Sequence, residues 1–484
     1  MILPTVVLGS AVAMLTATGV TVALPTIATD LEASSAEQTW IVNGYTLTLA
    51  SFVLIGGALG DRFGRVRVYR IGVALFAVSS VFCAVAWNVW SLVAFRMLQG
   101  LGGALLTPGS LAIIQATLRP DDRGRGVGAW SGIGGVAGAI GPLLGGVLVE
   151  WSWRWVFLVN LPVAIAVLVL TAYVPESRDE GAADDPIDVG GALLTTLFLG
   201  TASYALVAGP NDGWSVIEVA SAVVAVVAGV WLYRYEYGRP HAMLPLDLFR
   251  IRTFSVTNML TFAIYGGMGL LFFLLTIHLQ VTAGWSPLEA GAALLPVTLF
   301  LLLFSARVGE WTQHVGARIP LTVGPLLVAA GMLLAVRIDA DATFLGDVLP
   351  AMIVYGLGLV CIVAPVTSTA LGSVPDERVG AASGVNNAVA RTGGLLAVAA
   401  VPGLVGITGD GLSDPAVLGP GYEKAMVIGA VIVAAAGVAA WVLLPRESLE
   451  PEPCSRHEDV VEHHPCPVDG AGTSVVEPVG ALAD

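Results

Sequence analysis

Two arginines lie in the middle of long apolar stretches, where a charged side chain is costly and can do chemistry. Arg96 follows the apolar run from Leu92 to Phe95, and Arg391 lies four residues after Asn387. A guanidinium in such surroundings needs a partner or a water-filled cavity. It can bind an anion, or backbone carbonyl groups can hold it as a purely structural residue. Both interpretations remain open for Arg96, whereas Asn387 and Arg391 share one face of a helix.

A short charged segment follows the second apolar stretch. It contains Gly57, Asp61, Arg62, Gly64 and Arg65. The glycines permit close packing and a tight turn, and the carboxylate of Asp61 can cap the next helix or pair with an arginine. The segment is either a charge relay that changes partners between two states or a turn flanked by charges.

Two further segments are rich in glycine. Gln99 and Gly100 follow Arg96, and glycines on one helix face let a neighbouring helix approach closely. A later helix carries Gly138, Gly141, Pro142, Gly145 and Gly146. The proline removes a backbone hydrogen bond, which kinks or loosens the helix. The spacing favours a hinge over simple packing of small residues.

The composition indicates that lipid surrounds most of the chain. Of 484 residues, 56% are hydrophobic and 12% are charged, and the mean hydropathy is +0.82. A soluble domain has about 25% charged residues. A soluble enzyme, a nucleic-acid-binding protein and a disordered protein are therefore excluded as descriptions of the whole chain. An all-α polytopic membrane protein remains.

Fourteen apolar stretches between Leu3 and Leu444 are each long enough to cross the ~30 Å of bilayer hydrocarbon. If the N-terminus is cytoplasmic, 17 of the 22 basic residues fall in cytoplasmic loops or the tail, 3 fall outside and 2 lie within helices. This bias predicts an even number of spans and two cytoplasmic termini. The segment from Val127 is partly repeated from Val379, which indicates two six-helix units separated by two extra helices.

The three motifs resemble those of the major facilitator superfamily. The segment from Gly57 to Arg67 resembles its motif A, the segment from Arg96 to Ala104 its motif B, and the glycine-rich helix its motif C, which marks exporters. With fourteen helices, the chain from about Leu3 to Leu444 is similar to the drug:proton antiporter subgroup.

The resemblance implies a fold and a function. The expected divisions are an N-terminal six-helix bundle (1–174), two inserted helices with linkers (175–253), a C-terminal six-helix bundle (254–444) and a disordered cytoplasmic tail (445–484). The expected function is export of drugs or other amphiphiles across a bacterial plasma membrane. A monomer would use alternating access and proton antiport, with the proton gradient and no cofactor. Motif A would act in gating, motif B in coupling and motif C as a hinge.

The sequence departs from the subgroup at two places. Many members carry an Asp nine residues before the proline of the first ALP segment and an Asn four residues before it, and here Thr16 and Thr21 stand there. Gln313 and His314 stand where the second half would repeat the Asp-Arg pair of motif A. The acid usually suspected of binding protons or cationic drugs is therefore missing.

The remaining polar residues predict a neutral to positive substrate cavity. Its expected lining is Thr16, Thr21, Tyr45, His278, Gln280, Asn386, Asn387 and Arg391. Acidic residues are found near helix ends, so we expect a preference for neutral or anionic amphiphiles. If one of those acids reaches the cavity, the preference would instead be for lipophilic cations.

Two other functions remain open. A lipid or glycolipid exporter would have the same fold, and a transport-inactive sensor or scaffold would use the tail. Tail residues Cys454, His457, His463, His464 and Cys466 could ligate zinc, but their spacing matches no standard finger, so a solvated tail is favoured and no metal is predicted. A phosphate-binding loop is missing, which excludes direct use of ATP.

Overall fold

The structure is a computed structural model that describes residues 2–117, 140–177, 188–239, 242–375 and 378–445. Within these ranges the chain consists of helices joined by turns and short loops. Gly138 and the Cys/His tail lie outside the described residues. The chain divides into one unit from Met1 to Leu449 and another from Glu450 to Asp484, and the second lies wholly outside them.

The described residues of the first half form seven helical segments. They are α1 Ile2–Leu31, α2 Ser35–Phe63, α3 Arg65–Ala84, α4 Val89–Thr117, the described part of α5 Ile140–Val149, α6 Trp155–Leu158 and α7 Asn160–Thr171. Ser34 and Glu37 form a capping box that begins α2. Gly64, with φ +108°, separates α2 from α3, a conformation that favours glycine.

The inserted pair and the second half follow. The pair is α8 Val189–Asp212 and α9 Val216–Glu236, and a 3₁₀ helix, Leu246–Arg250, leads into the second half. The second half contains α10 Arg252–Val281, α11 Pro287–Ala292, α12 Leu295–Val315, α13 Pro320–Ala335, a π-helical turn Phe344–Val348, α14 Leu349–Gly372, α15 Val379–Leu404 and α16 Pro415–Leu443. Asp188, Ser215 and Ser286 cap the helices that follow them.

Ten helices in the described residues are long and apolar enough to cross a membrane. Three shorter apolar helices, Ile140–Val149, Trp155–Thr171 and Pro320–Ala335, accompany them. Helix α15 is long enough but is not among the ten, and it carries Asn386, Asn387 and Arg391. The all-helical membrane fold is thus present, whereas the number of fourteen crossings remains a prediction.

The helices pack as two halves that touch along α1, α2, α10 and α15. Helix α2 packs against α15, α1 packs against α10, and the inserted α8 packs against both α2 and α15. The largest apolar cluster is shared by the halves and includes Leu24, Ile27, Phe273 and Ile277, which lie towards the predicted outer end. Separate clusters around Tyr69 and around Leu248 belong to one half each. The shared core therefore lies towards the predicted outer end.

Candidate functional site

Arg96 is almost fully buried, with 1% of its surface exposed. Its Nε donates to the carbonyl oxygen of Ile41 at 3.1 Å, and its Nη1 donates to Oε1 of Gln99 at 2.6 Å. Its guanidinium carbon lies 4.4 Å from the centre of the Tyr45 ring, a distance at which a cation is attracted to the ring face. Motif B thus satisfies its own arginine within the first half, next to Gly100, where a Cβ atom would collide with the Tyr45 carbonyl oxygen.

A continuous polar network extends from Arg96 across the first half. Nε2 of Gln99 donates to the hydroxyl of Ser80 at 2.7 Å, and that hydroxyl also accepts from Nδ2 of Asn160 at 3.2 Å. Thr16 donates to Oδ1 of Asn160 at 2.8 Å. These partners come from α1, α3, α4 and α7, so the network fixes the mutual positions of these four helices. Buried polar groups that are fully paired in this way make a packing unique.

In this structure Thr16 is wholly buried inside the first half. The single hydrogen of the Thr16 hydroxyl lies within hydrogen-bond distance of two acceptors, Oδ1 of Asn160 and the Val12 carbonyl oxygen, both at 2.8 Å. Thr21 is 8% exposed and donates to the Thr18 carbonyl oxygen. Neither Thr16 nor Thr21 belongs to the group of residues around Arg391 that is described next.

Arg391 is placed differently from Arg96. It lies in the middle of α15, is partly exposed, and forms no ion pair with any residue that the structure describes. It is near enough to Tyr45 of α2 and Tyr265 of α10 to interact electrostatically with both. Tyr45 therefore interacts with both arginines, with Arg96 over its ring and Arg391 acting electrostatically from the other half. This group of Tyr45, Tyr265 and Arg391 is called the central site below.

The two predicted asparagines of α15 have different surroundings. Asn386 is buried and its Nδ2 donates to Asn258 at 3.1 Å and to Thr261 at 3.0 Å, which fastens α15 to α10. Asn387 is partly exposed and donates to the Ser383 carbonyl oxygen, one turn earlier. Asn387 is one turn from Arg391 on the same helix, so it is the asparagine nearer to the central site.

His278 and Gln280 lie near the predicted outer end of α10. His278 is 1% exposed, stacks on Tyr422 with 4.0 Å between ring centres, and its Nε2 contacts the Ile338 carbonyl oxygen at 2.8 Å. It is buried within the second half and does not join the central site. Nε2 of Gln280 donates to the Val22 carbonyl oxygen of α1 at 3.0 Å, so this residue ties the two halves together.

The charged segment between α2 and α3 is held within the first half. Arg65 pairs with Asp61, four residues earlier, at 2.8 Å, and Arg62 lies 5.4 Å from the ring centre of Phe63. Asp61 does not cap α3. Instead Glu176, beyond α7, accepts from the backbone N–H groups of Val66 at 2.9 Å and Arg67 at 3.0 Å. A carboxylate at a helix N-terminus is stabilised by the helix dipole.

The described glycines of motif C lie where α5 touches two other helices. Gly145 packs against Gly19 of α1, where a Cβ atom would come within 2.8 Å of the Gly19 carbonyl oxygen. Gly146 packs against α11 of the second half, where a Cβ atom would come within 2.6 Å of the Pro287 oxygen. Gly291 of α11 faces the carbonyl group of Pro142 in the same way. The backbones of the halves therefore meet directly at this contact, which is called the glycine seam.

Hydrogen bonds join the halves at the same end of the molecule. The Ser35 N–H donates to the Gly409 carbonyl oxygen at 2.9 Å, and the Leu412 N–H donates to the Ser35 hydroxyl at 2.8 Å. Gln38 donates to the Ser413 hydroxyl at 3.2 Å. With the glycine seam and Gln280, these bonds hold the predicted outer end closed.

We expect the substitution Gly146→Val to open this end. The added side chain cannot fit against Pro287 unless α5 and α11 separate. Overpacking costs about 1–3 kcal/mol, which corresponds to roughly 5- to 150-fold in an equilibrium between closed and open states. The measurement is the labelling rate of a cysteine at the buried position Gln38 (Q38C) by a membrane-impermeant maleimide added outside the cell.

Gly419→Val provides the matched control, because a Cβ atom at Gly419 meets open space. The control is expected to label like the unsubstituted protein. Equal labelling rates in the Gly146→Val and Gly419→Val variants would contradict the role of the seam.

Three residues of this arrangement were not predicted from the sequence. Asn160 links α1 to α3, Glu176 caps α3, and Tyr265 stands beside Arg391. Asn160 follows a segment that is rich in tryptophan, from Trp151 to Trp155, and Glu176 belongs to a charged loop. Only the long-range contact reveals either role.

Comparisons with known proteins identify relatives over most of the chain. A family model described as Major Facilitator Superfamily matches residues 6–398. The tetracenomycin C resistance and export protein of Streptomyces glaucescens is 34% identical over 402 residues, which are 81% of this chain and 73% of that protein. The multidrug resistance protein Stp of Mycobacterium tuberculosis is 33% identical over 89% of this chain and 81% of its own length. The puromycin resistance protein pur8 of Streptomyces alboniger is 32% identical over 89% and 88%.

Solved structures share the fold at much lower identity. A POT family transporter, crystallised in complex with a thioalcohol-conjugated peptide, superposes with a TM-score of 0.66 and is 14% identical. The match covers 91% of this chain and 95% of that one. At this identity the likeness concerns the fold alone.

Proposed function

Because the chain belongs to the Major Facilitator Superfamily, we propose that it exports drugs or other amphiphilic small molecules across the bacterial plasma membrane. The chain is a multi-pass membrane transporter and not an enzyme, and members of its family generally work without a cofactor. Relatives that confer resistance to tetracenomycin C, puromycin and several drugs support export of such compounds.

The proposed mechanism is alternating access. Two halves with cores of their own would rock about the central site, while the closed outer end opens and the cytoplasmic end closes. In this proposal the divisions are 1–174, 175–253, 254–444 and a tail from 445, with fourteen crossings, both termini in the cytoplasm and a monomer as the working unit. The glycine seam would be the part of motif C that separates.

Proton antiport is proposed as the source of energy. A difference of one pH unit supplies about 1.4 kcal/mol per proton, and 100 mV of membrane potential supplies about 2.3 kcal/mol per charge. Together, the pH difference and the membrane potential can sustain a concentration gradient of the substrate when one proton is exchanged per transport cycle.

The observation that carries the substrate preference is Arg391. It is partly exposed at the middle of its helix, beside two tyrosines, and has no acidic partner among the residues that the structure describes. A membrane-embedded cation without a partner is costly, and an anionic or strongly dipolar substrate would remove that cost. We therefore propose neutral or anionic amphiphiles as substrates, with the tyrosine rings contacting their apolar parts.

Uptake into everted membrane vesicles tests this proposal. The panel contains one lipophilic cation, one anionic amphiphile and one neutral compound of macrolide size, each with and without an imposed proton gradient. Vesicles without the protein and vesicles treated with a protonophore are the controls. Gradient-dependent uptake of the anion or the neutral compound is the expected result. Uptake of the cation alone would overturn the preference, and uptake independent of the gradient would overturn antiport.

A further inference from the structure

Two carboxylates meet at the predicted cytoplasmic end of the inserted helices. Asp188 caps the start of α8, and Glu236 is the last residue of α9. Their carboxyl groups lie side by side at Gly191, where a Cβ atom would come within 2.2 Å of Oε1 of Glu236 and 2.7 Å of Oδ2 of Asp188. Glu236 is 1% exposed. Two ionised carboxylates that are buried side by side repel each other strongly, unless a proton or a cation lies between them.

Each carboxylate also holds one residue of the linker that follows α9. Oδ2 of Asp188 accepts from the backbone N–H of Met243, and Oε2 of Glu236 accepts from the N–H of Leu244, both at 3.2 Å. Asp188 in addition accepts from Gly191 at 2.8 Å. The two acids therefore bind two consecutive peptide groups of the linker and hold them against the inserted helices. This arrangement of Asp188, Glu236, Met243 and Leu244 is called the clasp.

The linker continues to the cytoplasmic end of the second half. Leu248 of the 3₁₀ helix is fully buried in a cluster with Phe254, Ala370 and Ala382. Asp247 pairs with Arg378 at the start of α15, and this guanidinium holds the pKa of the Asp247 carboxyl below its usual value. The linker is therefore bound at one end by Asp188 and Glu236. Its other end is bound to α15, the helix that carries Arg391.

One atom of this clasp lacks a partner. Oε1 of Glu236 is buried and receives no hydrogen bond from any described residue. It lies beside the Asp188 carboxylate, which is also an acceptor. A hydrogen bond between the two carboxylates therefore requires a proton on one of them. Among the described residues, the other charged and titratable groups near Glu236 are Arg239 and Tyr235 of its own helix end, with the Arg239 guanidinium 3.6 Å from the Tyr235 ring centre. Backbone N–H donors already surround the pair, which makes a metal cation a poor occupant.

We propose that Asp188 and Glu236 form a binding site for one proton, and that this proton keeps the linker clasped between the inserted helices and the second half. When the cytoplasmic pH rises and the proton leaves, Asp188 and Glu236 are both negatively charged and lie side by side in a buried position. Their repulsion forces one of the two side chains to rotate into contact with water. The peptide group that it held is then released. The proposal concerns the position of the linker and does not depend on the identity of the substrate.

The test measures exposure of the linker directly. A cysteine replaces Ala242, immediately before the clasped residues, in a background with Cys454→Ser and Cys466→Ser. Everted vesicles are labelled with a membrane-impermeant maleimide from about pH 5.5 to about pH 8.5, a range that spans the titration of paired carboxylic acids. The same cysteine with Glu236→Gln corrects for ionisation of the thiol, because the amide supplies a permanent hydrogen to Asp188.

We compare the labelling rate of the protein in which both acids are unchanged with that of the Glu236→Gln variant. The ratio of the two rates is expected to rise about fivefold with pH, because one net hydrogen bond corresponds to about that factor. Asp188→Asn is the second amide variant and should give a flat ratio to Glu236→Gln. Asp247→Asn, which loosens the other end of the linker, should raise labelling at every pH. A rate ratio that stays constant with pH, or faster labelling of both amide variants at low pH, would overturn the proposal.

Discussion

Replacement of Arg391 by alanine is expected to lower the transport of an anionic amphiphile at least tenfold while the protein stays folded. A hydrogen bond to a charged group contributes about 1.5–3 kcal/mol, which corresponds to more than tenfold in affinity. Arg391 has no ion-pair partner in the described parts of the chain, so its loss leaves no buried charge behind. The alanine variant should be at least as stable as the unsubstituted protein, because it loses an unpartnered cation from the membrane interior.

The measurement is the KM and the maximal rate of gradient-driven uptake, together with thermal unfolding in detergent. Arg391→Lys keeps the charge on a flexible stem and should recover part of the affinity. The KM for a neutral substrate should change less than the KM for the anion. An unchanged KM for the anion in the alanine variant would remove Arg391 from the central site.

Replacement of Arg96 by alanine is expected to act mainly on stability. The substitution leaves Oε1 of Gln99 and the carbonyl oxygen of Ile41 without their donor, and each unsatisfied buried group costs about 1–3 kcal/mol. It also leaves a cavity beside Tyr45 in place of a large buried side chain, which adds to the loss. Relief of the buried charge offsets part of this cost. We expect a net loss of about 3 kcal/mol and a lower unfolding temperature.

Arg391→Ala is the matched control for this experiment, because it also removes an arginine from the middle of a helix. The two variants should give opposite patterns, with Arg96→Ala less stable and Arg391→Ala less active. A normal unfolding temperature of Arg96→Ala combined with lost transport would show that Arg96 acts on the substrate or the coupled ion.

The positions of the helices follow closely from the apolar stretches, because burial in lipid requires long runs without charges. Helix α15 is the informative case. Its polar residues lower its hydropathy, yet its glycines and its repeat of the Val127 segment identified it as a helix of the second half. The cost of burying Arg96 also predicted that it needs partners.

The identity of those partners could not be predicted. Ser80 lies 19 residues from Gln99, and Asn160 lies 144 residues from Thr16, and no spacing rule connects residues on helices that meet only after folding. The sequence itself shows that Thr16 stands where many members of the subgroup carry an acid, but it does not show that Glu236 is buried. Its burial depends on a turn of the linker, Met243 and Leu244, that nothing in the local pattern indicates.

The cap that Glu176 places on α3 also bears on the synthesis of the protein. Glu176 lies 110 residues after Val66, whose N–H it accepts. At a translation rate of about 5–20 residues per second, α3 waits roughly 5 to 20 s for its cap. During that time the ion pair of Asp61 and Arg65 can form at the turn before α3, whereas the cap from Glu176 cannot. A residue of the segment that follows α7 therefore completes the first hairpin, and it does so before α10, which begins at Arg252, has been synthesised.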